Sequence, residues 1–138
     1  MNNCEHCKSI ADTLEAICDG ALYVCPECGE LIRTYNEQTD DDGYTVYACE
    51  CGCTVDAEPE PETMLNYFSD AYDIEYRIGS DREYRSVRLM IACGGPNIFI
   101  DTAAREVQLH WWTEHASYPV SREACDAIDE DFEMLFNC

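Results

Sequence analysis

The sequence predicts an α+β protein in which a cysteine-bearing hairpin is followed by a four-stranded antiparallel sheet flanked by helices. Two cysteine pairs in the N-terminal half enclose a segment with the pattern of a hairpin. Four short segments in the C-terminal half have the pattern of strands, and the C-terminal segment has helical periodicity. These observations divide the 138 residues into a hairpin module at 1–55, a linker at 56–62 and an α+β domain at 63–138.

A short amphipathic helix is predicted at the start of the first module. Ile10, Leu14 and Ile17 recur at helical spacing within residues 4–19. Gly20 follows the last of them and is typical of a helix C-terminus. The spacing indicates a helix with one apolar face, which needs a surface to pack against.

Two cysteine pairs bracket the hairpin that follows this helix. Cys25 and Cys28 are separated by two residues, Cys49 and Cys51 by one, and a glycine follows each pair. Pairs at these spacings each supply two corners of the tetrahedron in which Zn²⁺ binds thiolate sulfur. The glycines let the backbone turn tightly beneath the metal. We therefore predict a zinc ribbon whose structural Zn²⁺ is held by Cys25, Cys28, Cys49 and Cys51, with no role in catalysis.

The other N-terminal cysteines leave alternatives open. Cys53 can replace Cys49 or Cys51 as a ligand. Cys4 and Cys7 also have a zinc-compatible spacing relative to the first pair of the ribbon. We prefer the first assignment because it encloses a hairpin and both its pairs carry the glycine. The group of Cys4, His6, Cys7 and Cys18 either holds a second ion or contains reduced thiols, and we favour reduced thiols.

An acidic segment at 56–62 separates the two modules. It contains two prolines and four acidic residues, a composition typical of a stiff, solvated linker. A helix is predicted after it, within residues 63–72. Four strands follow, and their short connections favour an antiparallel meander. The strand candidates lie at 74–78, 87–93 and 107–111, where the residues of one face recur at every second position, and at 98–100, an apolar run that leads to Asp101.

The C-terminal segment carries two stripes at helical spacing after Ser121, a plausible N-cap residue. One stripe is apolar and predicts contact with the sheet; it consists of Cys125, Ile128, Phe132 and Leu135. The other stripe lies about 200° away around the helix. We call it the acidic stripe and take it as the candidate partner-binding surface; it consists of Glu123, Asp126, Glu130 and Glu133.

Charge is the sequence feature that bears most directly on function. The chain has 29 acidic and 8 basic residues, which gives a net charge of −21. Such a surface repels nucleic acids and anionic membranes and attracts basic protein surfaces. We therefore predict a basic protein partner, no direct nucleic-acid binding and no membrane association. Between the two cysteine pairs Arg33 is the only basic residue, which also disfavours nucleic-acid binding by the ribbon.

The cysteine content predicts a reducing compartment. The sequence shows neither a secretion signal nor an apolar run long enough to span a membrane. Eleven cysteines, an odd number, are then better explained as metal ligands and core thiols than as disulfides. We expect a cytoplasmic protein and favour a monomer.

Patterns that indicate catalysis are sparse. There is no nucleophile elbow, no HExxH motif and no phosphate-binding glycine loop. A redox role is disfavoured because the cysteine pairs adjoin hairpin strands rather than a βαβ unit. We predict that the protein is not an enzyme. The competing hypothesis is a metal-dependent or redox enzyme that uses His110, Trp112 and nearby carboxylates.

Three segments carry a resemblance to a known group of proteins. They are the run CGGPNIFIDT at 93–102, the tryptophan pair at 111–112 and the run SREACDAIDEDFE at 121–133. They resemble small acidic proteins of phages and integrated mobile elements. Together with the cysteine ribbon that precedes them in the chain, these segments are similar to type II-A anti-CRISPR proteins. These inhibitors share no common fold or motif, so the resemblance implies an activity but transfers no binding residues.

The implied activity is stoichiometric binding to the RNA-guided effector nuclease, without catalysis. We expect the protein to bind the type II CRISPR effector nuclease of a bacterial host through its acidic surfaces. Binding would block the loading of target DNA and hence its cleavage, and structural zinc would keep the scaffold rigid. The alternative is a zinc-ribbon adaptor of a mobile element that binds another basic host protein.

Overall fold

The computed structural model describes residues 2–138, which form three helices and eleven strands in three antiparallel sheets. The helices are α1 (Asn3–Cys18), α2 (Met64–Tyr67) and α3 (Arg122–Phe136). The strands are β1 (Tyr23–Val24), β2 (Leu31–Ile32), β3 (Tyr35–Thr39), β4 (Thr45–Cys49), β5 (Thr54–Val55), β6 (Glu60–Pro61), β7 (Asp73–Ile78), β8 (Tyr84–Ala92), β9 (Asn97–Asp101), β10 (Glu106–Trp111) and β11 (Glu114–Pro119). The predicted α+β class is confirmed.

The largest sheet has five strands, so the prediction of four is wrong. Its order is β11-β10-β9-β8-β7, an antiparallel meander. The unpredicted strand is β11, whose side chains are exposed except for the half-buried Ala116 and Tyr118. Because β11 is an edge strand with so few inward apolar residues, its sequence carries little of the alternation that indicates a strand.

Two helices cover one face of this sheet and enclose the main core. α1 packs on β10 and β11, and α3 packs on β8. The helix α1, which we assigned by sequence to the hairpin module, therefore shares a core with the C-terminal part of the chain. The largest fully buried side chains of this core are Leu14, Val87, Leu89, Ile100, Val107, Leu109, Ile128 and Phe132.

The cysteine-bearing hairpin has a separate and much smaller core. β3 and β4 pair over five residues, and β5 adds to the other side of β4. The buried residues of this core are Cys25, Ile32, Cys49 and Val55. Each fully buried aliphatic side chain contributes only about 1.5–3 kcal/mol. Such a core needs further stabilisation to remain folded.

Residues 56–62, expected to be a solvated linker, are anchored at their C-terminal end. Glu60–Pro61 forms β6, which pairs with β1 in a sheet of order β2-β1-β6. A proline is tolerated there because β6 is an edge strand. The N–H of Glu62 then donates to the carbonyl of Leu22 at 2.9 Å. This segment therefore fastens the hairpin to the chain that leads into α2.

Ser121 caps α3 and also ties this helix to α1. Its hydroxyl oxygen accepts a hydrogen bond of 3.1 Å from the N–H of Ala124. The N–H and the hydroxyl of Ser121 donate to the carboxylate of Glu15 at 2.8 and 2.7 Å. The two long helices are therefore joined at one end by hydrogen bonds as well as by packing.

The apolar stripe of α3 faces the core for three of its four predicted members. The first three are buried, whereas Leu135 is 44% exposed. In the last turn the inward side chain is instead Phe136, which stacks on Tyr76 with ring centroids 5.3 Å apart. The helix therefore ends with Leu135 pointing partly into solvent.

A bidentate ion pair crosses the face of the five-stranded sheet opposite to the helices. Arg77 donates two hydrogen bonds of 2.8 Å to Asp101, which also accepts from the N–H groups of Ala103 and Ala104. The guanidinium of Arg77 makes the largest contribution to lowering the pKa of Asp101 below its ordinary value. This pair links β7 to β9 across the intervening strand.

We expect Arg77→Met to reduce the free energy of unfolding by about 1–2 kcal/mol at neutral pH, because hydrogen bonds to charged groups contribute about 1.5–3 kcal/mol and Arg77 is partly exposed. The folded-state pKa of Asp101 is depressed, so its stabilising contribution exists above the unfolded pKa and is lost as the pH falls through the folded pKa. Urea unfolding from neutral to acidic pH checks this. The difference between the two proteins should shrink below about pH 3.9, the pKa of an unfolded aspartate; a constant difference would contradict it.

Candidate metal centre

Two tight turns present cysteines at one end of the hairpin. In the first turn the N–H of Gly29 donates to the carbonyl of Cys25 at 2.8 Å. In the second turn the N–H of Gly52 donates to the carbonyl of Cys49 at 2.9 Å. Both glycines have positive φ, +74° and +96°, which residues with a Cβ rarely adopt. The expected turn-forming role of these two glycines is confirmed.

Four thiols converge between these turns. The sulfur atoms of Cys25, Cys28, Cys51 and Cys53 all lie within 4.8 Å of one another, and we call this group the thiol cluster. The sulfur atoms of Cys28 and Cys51 are 3.5 Å apart. Metal–sulfur bonds of about 2.3 Å in a tetrahedron place the sulfur atoms about 3.8 Å from one another. The thiol cluster therefore has the dimensions of a site for one metal ion.

The thiol cluster contains three of the four ligands expected from the spacing. Cys53 takes the fourth position and Cys49 lies outside the group, an exchange that the sequence left open. Cys49 is the last residue of β4, and its side chain is buried in the small core of the hairpin, where it contacts the thiol of Cys25. Cys49 lies outside the thiol cluster because the second turn is shorter than the first and keeps this cysteine within β4. The sequence feature that could have identified Cys53 as a ligand is that Cys51 and Cys53 lie on either side of Gly52.

Backbone N–H groups stabilise one thiolate within the cluster. The N–H of Cys28 makes the largest contribution to lowering the pKa of Cys25 to about 6. A hydrogen bond with Cys51, followed by burial, raises the pKa of Cys53 to about 12. Burial raises the pKa of the neighbouring Cys49 to about 11. Thiols this close resist ionising together, and a bound divalent cation supplies the positive charge that allows them to do so.

Three tyrosines pack against the core of the hairpin beside the thiol cluster. The ring of Tyr35 meets those of Tyr23 and Tyr47 edge-to-face, with centroids 5.3 and 5.9 Å apart. The hydroxyl of Tyr35 donates a hydrogen bond of 2.8 Å to Glu58, and this carboxylate raises the pKa of Tyr35 to about 12. These contacts among the three rings stabilise the strands that lead into the second turn.

The donor set fits a structural metal ion. Four sulfur donors suit soft or borderline cations, of which Zn²⁺ is the one commonly bound in a closed tetrahedral site. A set of four protein ligands leaves no position for a reactive water. The arrangement can therefore stabilise the hairpin, and it lacks the open coordination position that metal-assisted hydrolysis requires.

Apart from Cys49, the remaining cysteines lie away from the thiol cluster. Cys7 is fully buried in the main core, and Cys4 is exposed on α1. Within residues 2–138, the thiol cluster is the one group of three or more Cys, His, Asp or Glu side chains close enough to share an ion. Neither the alternative ligand set with Cys4 and Cys7 nor a second site on α1 is formed there. Cys125 is buried, whereas Cys93 and Cys138 are exposed.

The acidic stripe is exposed along the outer side of α3. One of its members, Asp126, approaches a basic side chain, with the Arg122 nitrogen 3.8 Å from its carboxylate. In the described part of the chain, four of the 29 acidic side chains take part in ion pairs with lysine or arginine. The negative charge of the protein is therefore largely uncompensated by its own residues.

The residues of the enzyme hypothesis lie on different parts of the β10–β11 hairpin. His110 is exposed and stacks on His115, with ring centroids 6.5 Å apart. Trp112 occupies the turn and is 87% exposed. Nearby, the guanidinium of Arg88 lies 3.7 Å from the ring centroid of Phe99. This last contact depends on the register of β8 and β9, so alternation in the sequence does not reveal it.

None of the helices within residues 2–138 combines the length and the apolar composition of a membrane-spanning helix. Comparison of the chain with protein-family models, with curated proteins and with solved structures finds no match. Two features therefore remain as the basis for a functional hypothesis: the thiol cluster and the uncompensated acidic surface.

Proposed function

We propose that this protein is a non-enzymatic inhibitor that binds a type II CRISPR effector nuclease stoichiometrically and prevents target DNA from loading. Structural Zn²⁺ at Cys25, Cys28, Cys51 and Cys53 holds the hairpin in shape. The acidic surface provides the recognition. The host is bacterial, and the site of action is the cytoplasm, where the effector works.

The observation that carries this proposal is the uncompensated acidic surface. Four of 29 acidic side chains have a basic partner in the described residues. A surface of this kind is complementary to a protein that is strongly basic. An effector nuclease of this type holds its guide and target in a positively charged channel, which is a surface of the required sign.

The geometry of α3 supports contact with such a channel over more than one element. Duplex DNA carries one negative charge per about 1.7 Å of its axis. The acidic stripe places a carboxylate every three to four residues, which is one per about 5 Å. The stripe alone is therefore sparser than a duplex. Further exposed carboxylates lie at the β3–β4 turn, at Asp40, Asp41 and Asp42, and the proposed interface includes them.

The donor set of the thiol cluster supports zinc rather than a harder cation. Its ligands are four thiols and no carboxylate, whereas Mg²⁺ and Ca²⁺ prefer oxygen donors. Elemental analysis of the purified protein should find one zinc per chain. Absence of a stoichiometric metal would remove zinc from the proposal without affecting the charge argument.

The decisive experiment titrates a type II-A effector nuclease with this protein in a DNA-cleavage assay. We expect cleavage to be lost near a one-to-one ratio, with target-DNA binding lost in the same mixtures. Inhibition should weaken steeply with salt between low and physiological ionic strength, because the attraction is electrostatic. Undiminished cleavage in excess inhibitor would contradict the proposal, and capture of another basic host protein would then favour the adaptor.

A pair of matched variants tests where the recognition lies. Neutralising the acidic stripe in the variant E123Q/D126N/E130Q/E133Q should weaken binding to the effector at least about tenfold. Charges at the edge of an electrostatically guided interface act mainly by raising the association rate constant. The control D19N/D70N/E83Q/E114Q makes the same change in net charge at exposed acids elsewhere. Equal effects of the two variants would show that overall charge, and not the stripe, provides the recognition.

A further inference from the structure

Within residues 2–138 both edge strands of the five-stranded sheet, β11 and β7, lack an outer neighbouring strand, and β7 is the one with large exposed aliphatic side chains. β7 is the last strand in the sheet order, and within residues 2–138 its outer side pairs with no other strand. Two of its apolar side chains, Ile74 and Ile78, are 37% and 52% exposed. An edge strand presents unpaired N–H and C=O groups, which are a template for pairing with another strand.

We propose that β7 pairs with β7 of a second copy of this chain, antiparallel and centred on Tyr76, so that the protein forms a two-fold symmetric dimer. The strand is self-complementary in this register. Its facing pairs are Ile74 with Ile78, Glu75 with Arg77, and Tyr76 with Tyr76. Two-fold symmetry repeats each unlike pair, as an isologous interface requires.

Competing registers of the same strands are less favourable. In an antiparallel pair, two residues that face each other have their side chains on the same face of the sheet. Only registers centred on a residue, and not between two residues, therefore keep the apolar face continuous. Centring on Glu75 places the two Glu75 carboxylates opposite each other, and centring on Arg77 places the two guanidinium groups opposite each other. Like charges directly opposite destabilise a strand pair. Of these registers, only the Tyr76-centred one pairs opposite charges and apolar residues without placing like charges opposite each other.

The surroundings of β7 extend the apolar contact beyond the strand. Tyr76 stacks on Phe136 of α3, which places the end of that helix beside the edge. Leu135 in the same turn is 44% exposed. Pairing of two β7 strands about Tyr76 would bring the two helix ends near the same seam. Arg77 keeps its ion pair with Asp101, so Glu75 of the second copy would join an existing pair of opposite charges.

Charge on the whole molecule opposes this dimer. Each copy carries −21, and a six-residue edge provides a small interface, so we expect weak association that added salt strengthens. The proposed binding to a basic partner has the opposite salt dependence. The dimer proposal does not rest on the inhibitor proposal, and the sign of the salt effect distinguishes the two interactions.

Sedimentation equilibrium of the full chain over about 10 µM to 1 mM, at low and high salt, tests the proposal. Glu75→Lys places a lysine opposite Arg77 twice and should raise the dimer dissociation constant about tenfold. Asp73→Lys is the matched control, since it makes the same charge change on the same face of β7 but lies opposite Gly79 in the proposed register. It should leave the dissociation constant unchanged or lower it, because it reduces the overall repulsion.

A neutral variant provides a second arm. Ile78→Thr keeps a β-branched residue and the charge of the chain, but it removes both apolar pairs, and it should raise the dissociation constant about fivefold. Unchanged thermal melting of each variant ensures that the chain remains folded. A strictly monomeric protein at all concentrations and both salt levels overturns the proposal. A dimer that Asp73→Lys weakens as much as Glu75→Lys also overturns it, because the register would then be wrong.

Discussion

Replacing Cys28 by serine is expected to unfold residues 23–61 while the five-stranded sheet and its helices remain folded. The hairpin core has only Ile32 and Val55 as buried aliphatic side chains, whereas the main core is separate from it. Structural zinc sites contribute about 10–16 kcal/mol in small zinc-binding peptides. Replacing a residue that only orients a metal ligand lowers metal affinity about 10–100-fold. Replacing a ligand itself should lower the affinity by more than this.

Two other cysteines sharpen this prediction. Cys53→Ser should have the same effect as Cys28→Ser, because both side chains belong to the thiol cluster. Cys49→Ser should retain one zinc per chain and lose only about 1–3 kcal/mol, the usual cost of a buried hydroxyl with poor partners. Zinc content together with amide hydrogen exchange across residues 23–61 provides the measurement. Loss of zinc from the Cys49 variant and its retention by the Cys53 variant would reverse the assignment.

Replacing Phe132 by alanine is expected to lower the free energy of unfolding by about 3–5 kcal/mol, the usual cost of truncating a buried phenylalanine. Phe132 is 2% exposed and lies edge-to-face with Phe68, with ring centroids 6.0 Å apart. The side chain therefore joins α3 to the segment around α2. A loss of this size is a large part of the stability of an ordinary domain, about 5–15 kcal/mol. Urea unfolding followed by circular dichroism measures it.

Leu135 is the matched control on the same helix. The spacing in the sequence makes it equivalent to Phe132, but the structure leaves it 44% exposed. We therefore expect Leu135→Ala to lower the free energy of unfolding by less than about 1 kcal/mol. Comparable losses in the two variants would mean that the end of α3 is packed more closely than the structure shows.

The periodic elements were predictable because their signals are local. The stripe of Ile10, Leu14 and Ile17 indicated α1, and Ser121 followed by two opposite stripes indicated α3. Four of the five strands of the main sheet showed a visible pattern, three by alternation and β9 by a short apolar run. β11 did not, since an exposed edge strand packs too few apolar residues to leave a pattern. Local signals also left the partner of α1 open: its apolar face packs on β10 and β11, which lie about 90 residues further along the chain.

The sequence by itself determined that this protein has an α+β fold, a cysteine-rich hairpin of metal-binding spacing and a strong excess of negative charge. These properties follow from composition and from short-range periodicity, which tertiary contacts do not alter. Only the tertiary structure decided which four thiols converge, how α1 joins the main core and which strands form the edges of the sheet. Each of these depends on where a turn directs a side chain or on the pairing of segments distant in sequence. A difference of one residue in turn length, as between the two cysteine turns, is enough to bury Cys49 and to place Cys53 in the cluster.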